Sequence, residues 1–208
     1  MQKETHILVI RLSAMGDVAI TVPVIRAFVE QHPTTKITIL SKGFLKPLFD
    51  NIPNVSFYTA DVQGIHKGVS GLYRLFKELK NIPITHVADL HNVLRSKILR
   101  SFFKASKTPI AVIDKGRSEK KALTSIKNKV LKQLKTSHER YADVFKSFGF
   151  QVDISNPSPL IKPPLTVNLT ELTKNKKSKW IGIAPFAAYE AKQYPLDLMK
   201  QVIEELSK

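Results

Sequence analysis

Short apolar segments alternate with amphipathic segments along most of the chain, and this alternation limits the possible folds more than any other feature. Residues 6–12 (HILVIRL) form a nearly continuous apolar run, as expected of a strand covered on both faces of a parallel sheet. The next segment, residues 17–31, places apolar residues at helical spacing. Pro23 lies inside that segment, so the regular helix is expected to begin near this proline.

The same alternation continues to Gly149, which is expected to close the last helix. Further strands are predicted at residues 36–40, 55–59, 86–90 and 109–113, and further helices at residues 44–50, 69–79, 93–103, 119–134 and 138–148. This order of elements predicts a doubly wound, parallel α/β sheet with right-handed crossovers. Ligands bind outside the carboxyl ends of the strands in such sheets, so a site is expected in the strand-exit loops.

The sequence changes in character after residue 155. Four prolines and the charged run KNKKSK indicate a linker over residues 156–179. Residues 180–185 (WIGIAP) then predict a strand, and a helix is expected to open at Pro195. One strand and one helix cannot bury their own apolar faces, so we expect residues 180–208 to begin a truncated second domain. Docking of this unit on the first domain, residues 1–155, is the alternative.

Positive charge is unusually high and unevenly placed. The net charge is +16 and the isoelectric point is near 10.0. Residues 91–140 contain 14 lysines and arginines against three acidic residues, which is +11 of the total. A solvated helical face is one explanation, but a cluster of one sign favours an anionic partner such as nucleic acid, anionic lipid or a phosphorylated substrate.

Composition excludes several classes of protein. There is no cysteine, so disulfides, a thiol nucleophile and a cysteine-ligated metal are ruled out. The six histidines are scattered, without metal-ligand spacing. No apolar run approaches the ~18 residues of a membrane helix, and the N-terminus lacks the features of a signal peptide. We therefore expect a cytoplasmic protein without a bound metal.

The turn after the first strand, SAMGD from Ser13 to Asp17, is the leading candidate site. Its small residues would let backbone N–H groups approach a ligand, and Gly16 permits a tight or left-handed turn. Asp17 would point from a rigid element into the crevice, where a carboxylate can accept a proton from a substrate hydroxyl. Local physics gives equal weight to simple capping of the next helix by Asp17 or Ser13.

Four segments together resemble a known family. They are residues 7–28 (ILVIRLSAMGDVAITVPVIRAF), 87–96 (VADLHNVLRS), 138–141 (HERY) and 183–199 (IAPFAAYEAKQYPLDLM). In this order they resemble the ADP-heptose:lipopolysaccharide heptosyltransferases of glycosyltransferase family 9, which have the two-domain GT-B fold. The resemblance implies that residues 1–155 form the Rossmann-like, acceptor-binding domain. Residues 180–208 would begin the nucleotide-sugar-binding domain.

The resemblance further implies an inverting transfer of heptose from ADP-heptose to the lipopolysaccharide inner core, without a metal or other cofactor. Asp17 would deprotonate the acceptor hydroxyl, and Lys192 would neutralise the diphosphate leaving group. The acceptor, an anionic lipid A–core sugar, would bind the first domain at the inner face of the cytoplasmic membrane. The residues expected to contact it are Ser13, Gly16, His91, Arg95, Arg117 and Lys120.

Other interpretations remain open. Transfer of another sugar to a surface glycan would use the same site. A basic α/β module that binds nucleic acid or acidic membrane would explain the charge equally, but it would leave the Gly16-Asp17 turn and residues 192–195 (KQYP) unexplained. His91 and Lys192 each have a plainer interpretation, as a hydrogen-bonded loop residue and an exposed loop lysine. Aromatic residues are sparse in the basic stretch, so we expect no nucleic-acid partner.

Overall fold

The computed structural model describes residues 4–156, 164–174, 179–187 and 189–207. Its contacts divide the chain into two compact units, Met1–Pro159 and Leu160–Lys208. The predicted linker falls partly outside the described residues, since Pro157, Pro159 and Pro163 are not among them. The domain boundaries expected from the sequence therefore stay predictions.

A five-stranded parallel sheet forms the centre of the first unit, in the order β3-β2-β1-β4-β5. Its strands are β1 (His6–Ile10), β2 (Lys36–Ser41), β3 (Val55–Thr59), β4 (His86–Asp89) and β5 (Ile110–Val112). β1 pairs with both β2 and β4. All five of its residues are buried, which explains why its sequence is a continuous apolar run.

Helices flank this sheet, and the doubly wound α/β fold predicted from the sequence is confirmed. They are α1 (Met15–Ala19), α2 (Thr21–Gln31), a 3-10 helix (Gly43–Phe49), α3 (Gly68–Leu79), α4 (Leu94–Ala105), α5 (Arg117–Thr124) and α6 (Ser137–Lys146). Pro23 is the third residue of α2. It is tolerated there because a first-turn N–H would have no partner within the helix.

The core lies in two layers, because alternate residues of β1 face opposite sides of the sheet. Ile7 and Val9 pack in the cluster that contains Phe28 of α2 and Phe145 of α6. Leu8 and Ile10 pack in the other cluster, with side chains of α3 and α4. This packing fixes β1 and β4 as neighbours and sets the position of the loops at their carboxyl ends.

The helix predicted over residues 119–134 is wrong in its second half. α5 ends at Thr124, and residues 125–136 have no helix or strand. The apolar residues that supported the prediction remain in solvent, with Ile126 fully exposed and Leu131 80% exposed. Most of the stability of a helix comes from packing its apolar face. Here the described first unit provides no surface for that face.

The second unit consists of α7 (Val167–Thr173), a 3-10 helix (Glu190–Lys192) and α8 (Leu196–Leu206). α8 follows Pro195 as expected, but residues 180–185 do not form the predicted strand. A strand needs a hydrogen-bonding neighbour, and the described residues of this unit include no second strand. The face of α8 expected to be buried is partly exposed, with Val202 at 42%. Throughout the described residues, no helix is both long and apolar enough to cross a bilayer.

Candidate active site

Asp17 lies where β1 leads into α1, at the carboxyl edge of the sheet. It is the third residue of α1, and its side chain is half exposed. The Ala14 N–H donates to its Oδ2 at 3.4 Å, which is long for a helix cap. A much shorter contact, 2.6 Å, joins the same oxygen to Nη2 of Arg11. The main partner of this carboxylate is therefore a guanidinium, and the cap is secondary.

Arg11 is the residue that the sequence analysis missed. It follows β1 directly and is buried, and its Nη1 donates to the Leu90 carbonyl at 2.7 Å. Its Nε is buried without a hydrogen-bond partner among the described residues. An arginine is rarely buried unless it is paired. The single charge at the end of an apolar strand was therefore a signal that a carboxylate would lie nearby.

His91 occupies the matching position after β4, and it is buried against the turn that carries Asp17. Its Nδ1 lies 3.4 Å from the Leu12 N–H, and its Nε2 lies 3.5 Å from Oγ of Ser13. Burial first, and then the positive charge of Arg11, lowers the pKa of His91 from 6.5 to about 4. The ring is therefore neutral at pH 7 and cannot act there as a cation.

The β4 exit loop is held in place by Asp89, a fully buried carboxylate. Its Oδ1 accepts the backbone N–H groups of His91 at 3.0 Å and Asn92 at 2.7 Å. Its Oδ2 accepts from Nη1 of Arg100 at 2.9 Å. Asp89 and Arg100 thus hold the backbone of the loop that carries His91. The sequence placed this aspartate inside the fourth predicted strand and in the segment 87–96, and no role was expected for it.

Positive side chains surround this point. Lys115, in the β5 exit loop, is half-buried, and its Nζ lies 3.4 Å from the Asn92 carbonyl. Burial first, and then the charges of Arg11 and Arg117, lowers the pKa of Lys115. Arg117 is exposed at the start of α5. Cations in mutual repulsion at one edge of a sheet favour the binding of an anion between them.

The remaining acceptor-binding candidates are more peripheral. Arg95 and Lys120 are exposed near the starts of α4 and α5. Gly16 is helical and does not adopt a left-handed conformation, which corrects the turn expected from the sequence. A Cβ at Gly16 would meet no atom within 4 Å, so it leaves open space beside Asp17. Gly116, which precedes α5, does adopt a positive φ of 59°, as do Gly68 and Gly149 elsewhere among the described residues.

The HERY segment supports the site from α6. The hydroxyl of Tyr141 lies 3.4 Å from the Asp17 carbonyl, and the Arg11 guanidinium lies 6.0 Å from the centre of the Tyr141 ring. Arg140 is buried and pairs with Glu119 at 2.6 Å, while its Nη1 contacts the Asp114 carbonyl at 3.3 Å. These two residues hold the β1 and β5 exit loops.

Lys192 belongs to the second unit and ends its 3-10 helix. It is exposed, and its Nζ lies 5.6 Å from the centre of the Tyr189 ring. The described residues contain no group of three histidine, aspartate or glutamate side chains that could hold a metal ion. The roles expected for Lys192, Asp17 and the acceptor-binding residues stay predictions.

The parallel α/β sheet of this chain matches the fold of known glycosyltransferases. The glycosyltransferase family 9 structure from Veillonella parvula aligns over 97% of this chain and 60% of its own, with a TM-score of 0.72 and 19% identity. Escherichia coli heptosyltransferase WaaC with ADP-2-deoxy-2-fluoro heptose aligns over 98% and 66%, with a TM-score of 0.63 and 15% identity. At sequence identities of 19% and 15%, these structural similarities show that the fold is shared.

Sequence similarity to one curated heptosyltransferase points in the same direction. The lipopolysaccharide core heptosyltransferase OpsX of Haemophilus influenzae is 30% identical over 97 residues, which are 47% of this chain and 27% of that protein. No protein-family model matches the chain. This similarity agrees with the resemblance predicted from the motifs, and the chain is similar to a heptosyltransferase in sequence and to family 9 glycosyltransferases in fold. It spans less than two thirds of the length of each of these relatives.

Proposed function

We propose that this chain is the acceptor-binding part of a glycosyltransferase that transfers heptose from ADP-heptose to the lipopolysaccharide inner core. The observation that carries the proposal is the half-exposed Asp17 carboxylate, held at 2.6 Å by the buried Arg11 beside a cationic rim. The protein would act at the inner face of the cytoplasmic membrane, where a lipid-linked acceptor is available. OpsX and WaaC, whose names describe heptosyltransferases, support the choice of sugar.

Asp17 would be the general base of an inverting transfer. Both its contact with Arg11 and its contact with the Ala14 N–H are made by Oδ2, and Oδ1 takes part in neither. An acceptor hydroxyl would give its proton to this carboxylate as the hydroxyl oxygen bonds to the anomeric carbon. The bond from that carbon to the diphosphate breaks at the same time, and ADP leaves with the electron pair. Attack from the opposite face inverts the anomeric centre.

Arg11 would orient the Asp17 carboxylate. Its buried guanidinium contacts both the Leu90 carbonyl and Asp17, so it fixes the carboxylate without occupying the open side of α1. His91 is neutral at pH 7, so it would contact the acceptor by a hydrogen bond and not by charge. Lys115 and Arg117 would bind phosphate or carboxylate groups of the acceptor. In the second unit, the exposed Lys192 would neutralise the diphosphate of the donor, which removes the need for a metal ion.

The proposal is tested with Asp17→Asn, which keeps the size of the side chain and removes the base. In the enzyme that carries this chain together with its donor-binding part, we expect kcat to fall by about 10²–10⁴-fold. The KM for the acceptor should change little, because a general base acts on the transition state. Transfer is measured by the mass of the product from ADP-heptose and a heptose-free core acceptor.

Asp50→Asn is the matched control, since Asp50 is an exposed aspartate that follows the 3-10 helix at the β2 exit. It should leave kcat unchanged. Near-normal turnover by the Asp17→Asn enzyme would exclude Asp17 as the base.

Acceptor binding by the chain alone, measured with the phosphorylated core oligosaccharide, should be weakened by Arg117→Gln. Unchanged binding in that variant would remove Arg117 from the acceptor site.

A further inference from the structure

The second half of α5 and the loop that joins it to α6, together called the basic loop (residues 120–136), have a composition that the active site does not explain. From Lys120 to Thr136 the chain contains six lysines and no acidic residue. The lysines are 120, 121, 127, 129, 132 and 135, and all six are exposed. One of them, Lys135, pairs with Asp143 at 2.7 Å. The loop therefore presents a dense positive charge to solvent.

Apolar side chains are spaced regularly among these lysines. Leu123, Ile126, Val130 and Leu134 recur at intervals of three and four residues, so they would form one stripe on a helix. Ile126 is fully exposed and Val130 is 52% exposed, while the other two are partly buried. No glycine or proline interrupts residues 117–136. The loop thus has the pattern of a basic amphipathic helix, although α5 ends at Thr124.

Both ends of the loop are fixed at the edge of the sheet that carries the candidate active site. Upstream, Arg140 ties Glu119 and the Asp114 carbonyl to α6. Downstream, the Thr136 side chain caps α6, and the Val130 N–H reaches back to the Ala122 carbonyl at 3.1 Å. The segment is therefore anchored beside the β5 exit loop, while Ile126 and Val130 in the middle of its apolar stripe face solvent.

We infer that residues 120–135 bind an anionic lipid surface and complete a helix there. The six lysines are complementary to anionic headgroups, and the stripe from Leu123 to Leu134 enters the boundary between headgroups and acyl chains. The lipid supplies the apolar partner that the first unit does not provide. Nucleic acid would use the lysines but not the apolar stripe, and residues 117–137 contain no aromatic side chain for stacking on bases.

The inference deepens the proposed function, because a lipid-linked acceptor requires the enzyme to work at a membrane. Its tests nevertheless measure lipid binding and require no sugar transfer. Failure of lipid binding would leave the transfer chemistry at Asp17 standing, and failure of the Asp17 test would leave lipid binding untouched.

The first experiment measures which face of residues 120–135 enters the lipid. Because the chain has no cysteine, Ile126→Cys and Asn128→Cys each give a single site for an environment-sensitive fluorophore. Both positions are exposed in the free protein, but on a helix Ile126 lies on the apolar stripe and Asn128 lies on the polar side. Vesicles of phosphatidylglycerol and phosphatidylcholine should blue-shift the emission at position 126 only.

The second experiment measures the contribution of charge. Lys127→Gln, Lys129→Gln and Lys132→Gln together should weaken vesicle binding by about 100-fold, since each lysine near an anionic surface contributes about five-fold. Lys80→Gln, Lys104→Gln and Lys146→Gln together remove the same charge from exposed lysines at the C-terminal ends of α3, α4 and α6. This control should retain nearly all binding. Pure phosphatidylcholine vesicles should bind neither protein.

Three outcomes would overturn the inference. Equal emission shifts at positions 126 and 128 would show that no helical face enters the lipid. Equal loss of binding in the two triple variants would show that net charge, and not this segment, attracts the vesicles. Duplex DNA that binds the chain more tightly than the vesicles, with the same lysines required, would assign the segment to nucleic acid.

Discussion

α3 and residues 119–134 carry the same kind of sequence pattern but have different fates in the structure. In α3 the stripe of Leu72, Leu75 and Leu79 is buried between the sheet and α4, and the helix forms over its whole predicted length. In residues 119–134 the helix stops at Thr124, and Ile126 is fully exposed. Both segments have apolar residues at helical spacing and lack internal proline.

The difference shows what helical periodicity does and does not predict. It identifies the side chains that would share a face if the segment were helical. Whether the helix forms depends on a surface that can cover that face, because isolated helices of this length are marginal in water. α3 finds that surface in its own domain. Residues 119–134 do not, and we propose that theirs is a lipid bilayer.

The largest effect on the free energy of unfolding should come from removing a side chain that packs α3 in the core. Leu75→Ala in α3 should lower the free energy of unfolding by about 2–5 kcal/mol, because it leaves a cavity at a fully buried position. Ile126→Ala should change it by less than about 0.5 kcal/mol. Urea unfolding is followed by far-ultraviolet circular dichroism, since the single tryptophan, Trp180, lies in the second unit.

Similar effects of the two substitutions would break the comparison. They would mean that Ile126 is packed in solution and that the loop is already part of the folded core. The lipid-binding inference would then lose its exposed apolar stripe.

A smaller effect should follow from pH, because burial at the β4 exit lowers the pKa of His91 from 6.5 to about 4. Above pH 6.5 the ring is neutral in both the folded and the unfolded chain. Below it the unfolded chain takes up the proton first, so stability falls as the pH drops towards 4. We expect His91 to account for up to about 3 kcal/mol of that loss.

His91→Asn is the necessary comparison, since burial also lowers the pKa values of His6 and His86 and these act in the same direction. The variant should lose less stability than the parent between pH 6.5 and pH 4. Equal losses in the two proteins would indicate that water reaches the His91 ring in the folded state.

The smallest effect on the free energy of unfolding should come from Thr136, which lies where the basic loop meets α6. Thr136 caps α6 by accepting the Glu139 N–H at 3.2 Å, while its own N–H donates to the Glu139 carboxylate at 2.6 Å. Thr136→Ala should lower the free energy of unfolding by about 1 kcal/mol. Thr124→Ala, at the last residue of α5, removes a hydroxyl that donates to the Lys120 carbonyl of its own helix at 3.0 Å and satisfies no N-terminal N–H, so it should matter less. Equal values would show that the start of α6 is not fixed by its cap.

The centre of the sheet was predictable because β1, β2 and β4 are buried on both faces over most of their length. β1 is apolar at every position after His6, and such a run is visible without knowing what covers it. Residues 180–185 gave a similar signal but form no strand, because the described second unit offers them no partner strand. The helix of residues 119–134 was over-extended for a related reason, the absence of a packing surface.

The candidate site was predictable only in part. Strand-exit positions identified Ser13, Asp17 and His91, because the carboxyl ends of parallel strands meet at one edge of a sheet. They did not reveal that Arg11 would be the partner of Asp17, or that Asp89 and Arg100 would hold the loop of His91. Arg11 and Leu90 are 79 positions apart, and no local pattern links them.

The sequence by itself determined the order of strands and helices in the first unit, the edge of the sheet where chemistry is possible, and the position of the positive charge. These follow from the alternation of short segments and from composition, which are local properties. Only the tertiary structure decided which carboxylate meets which guanidinium, which histidine is neutral, and which amphipathic segment remains without a partner. Those outcomes depend on side-chain distances and burial, and hydrophobic packing of the whole domain sets both.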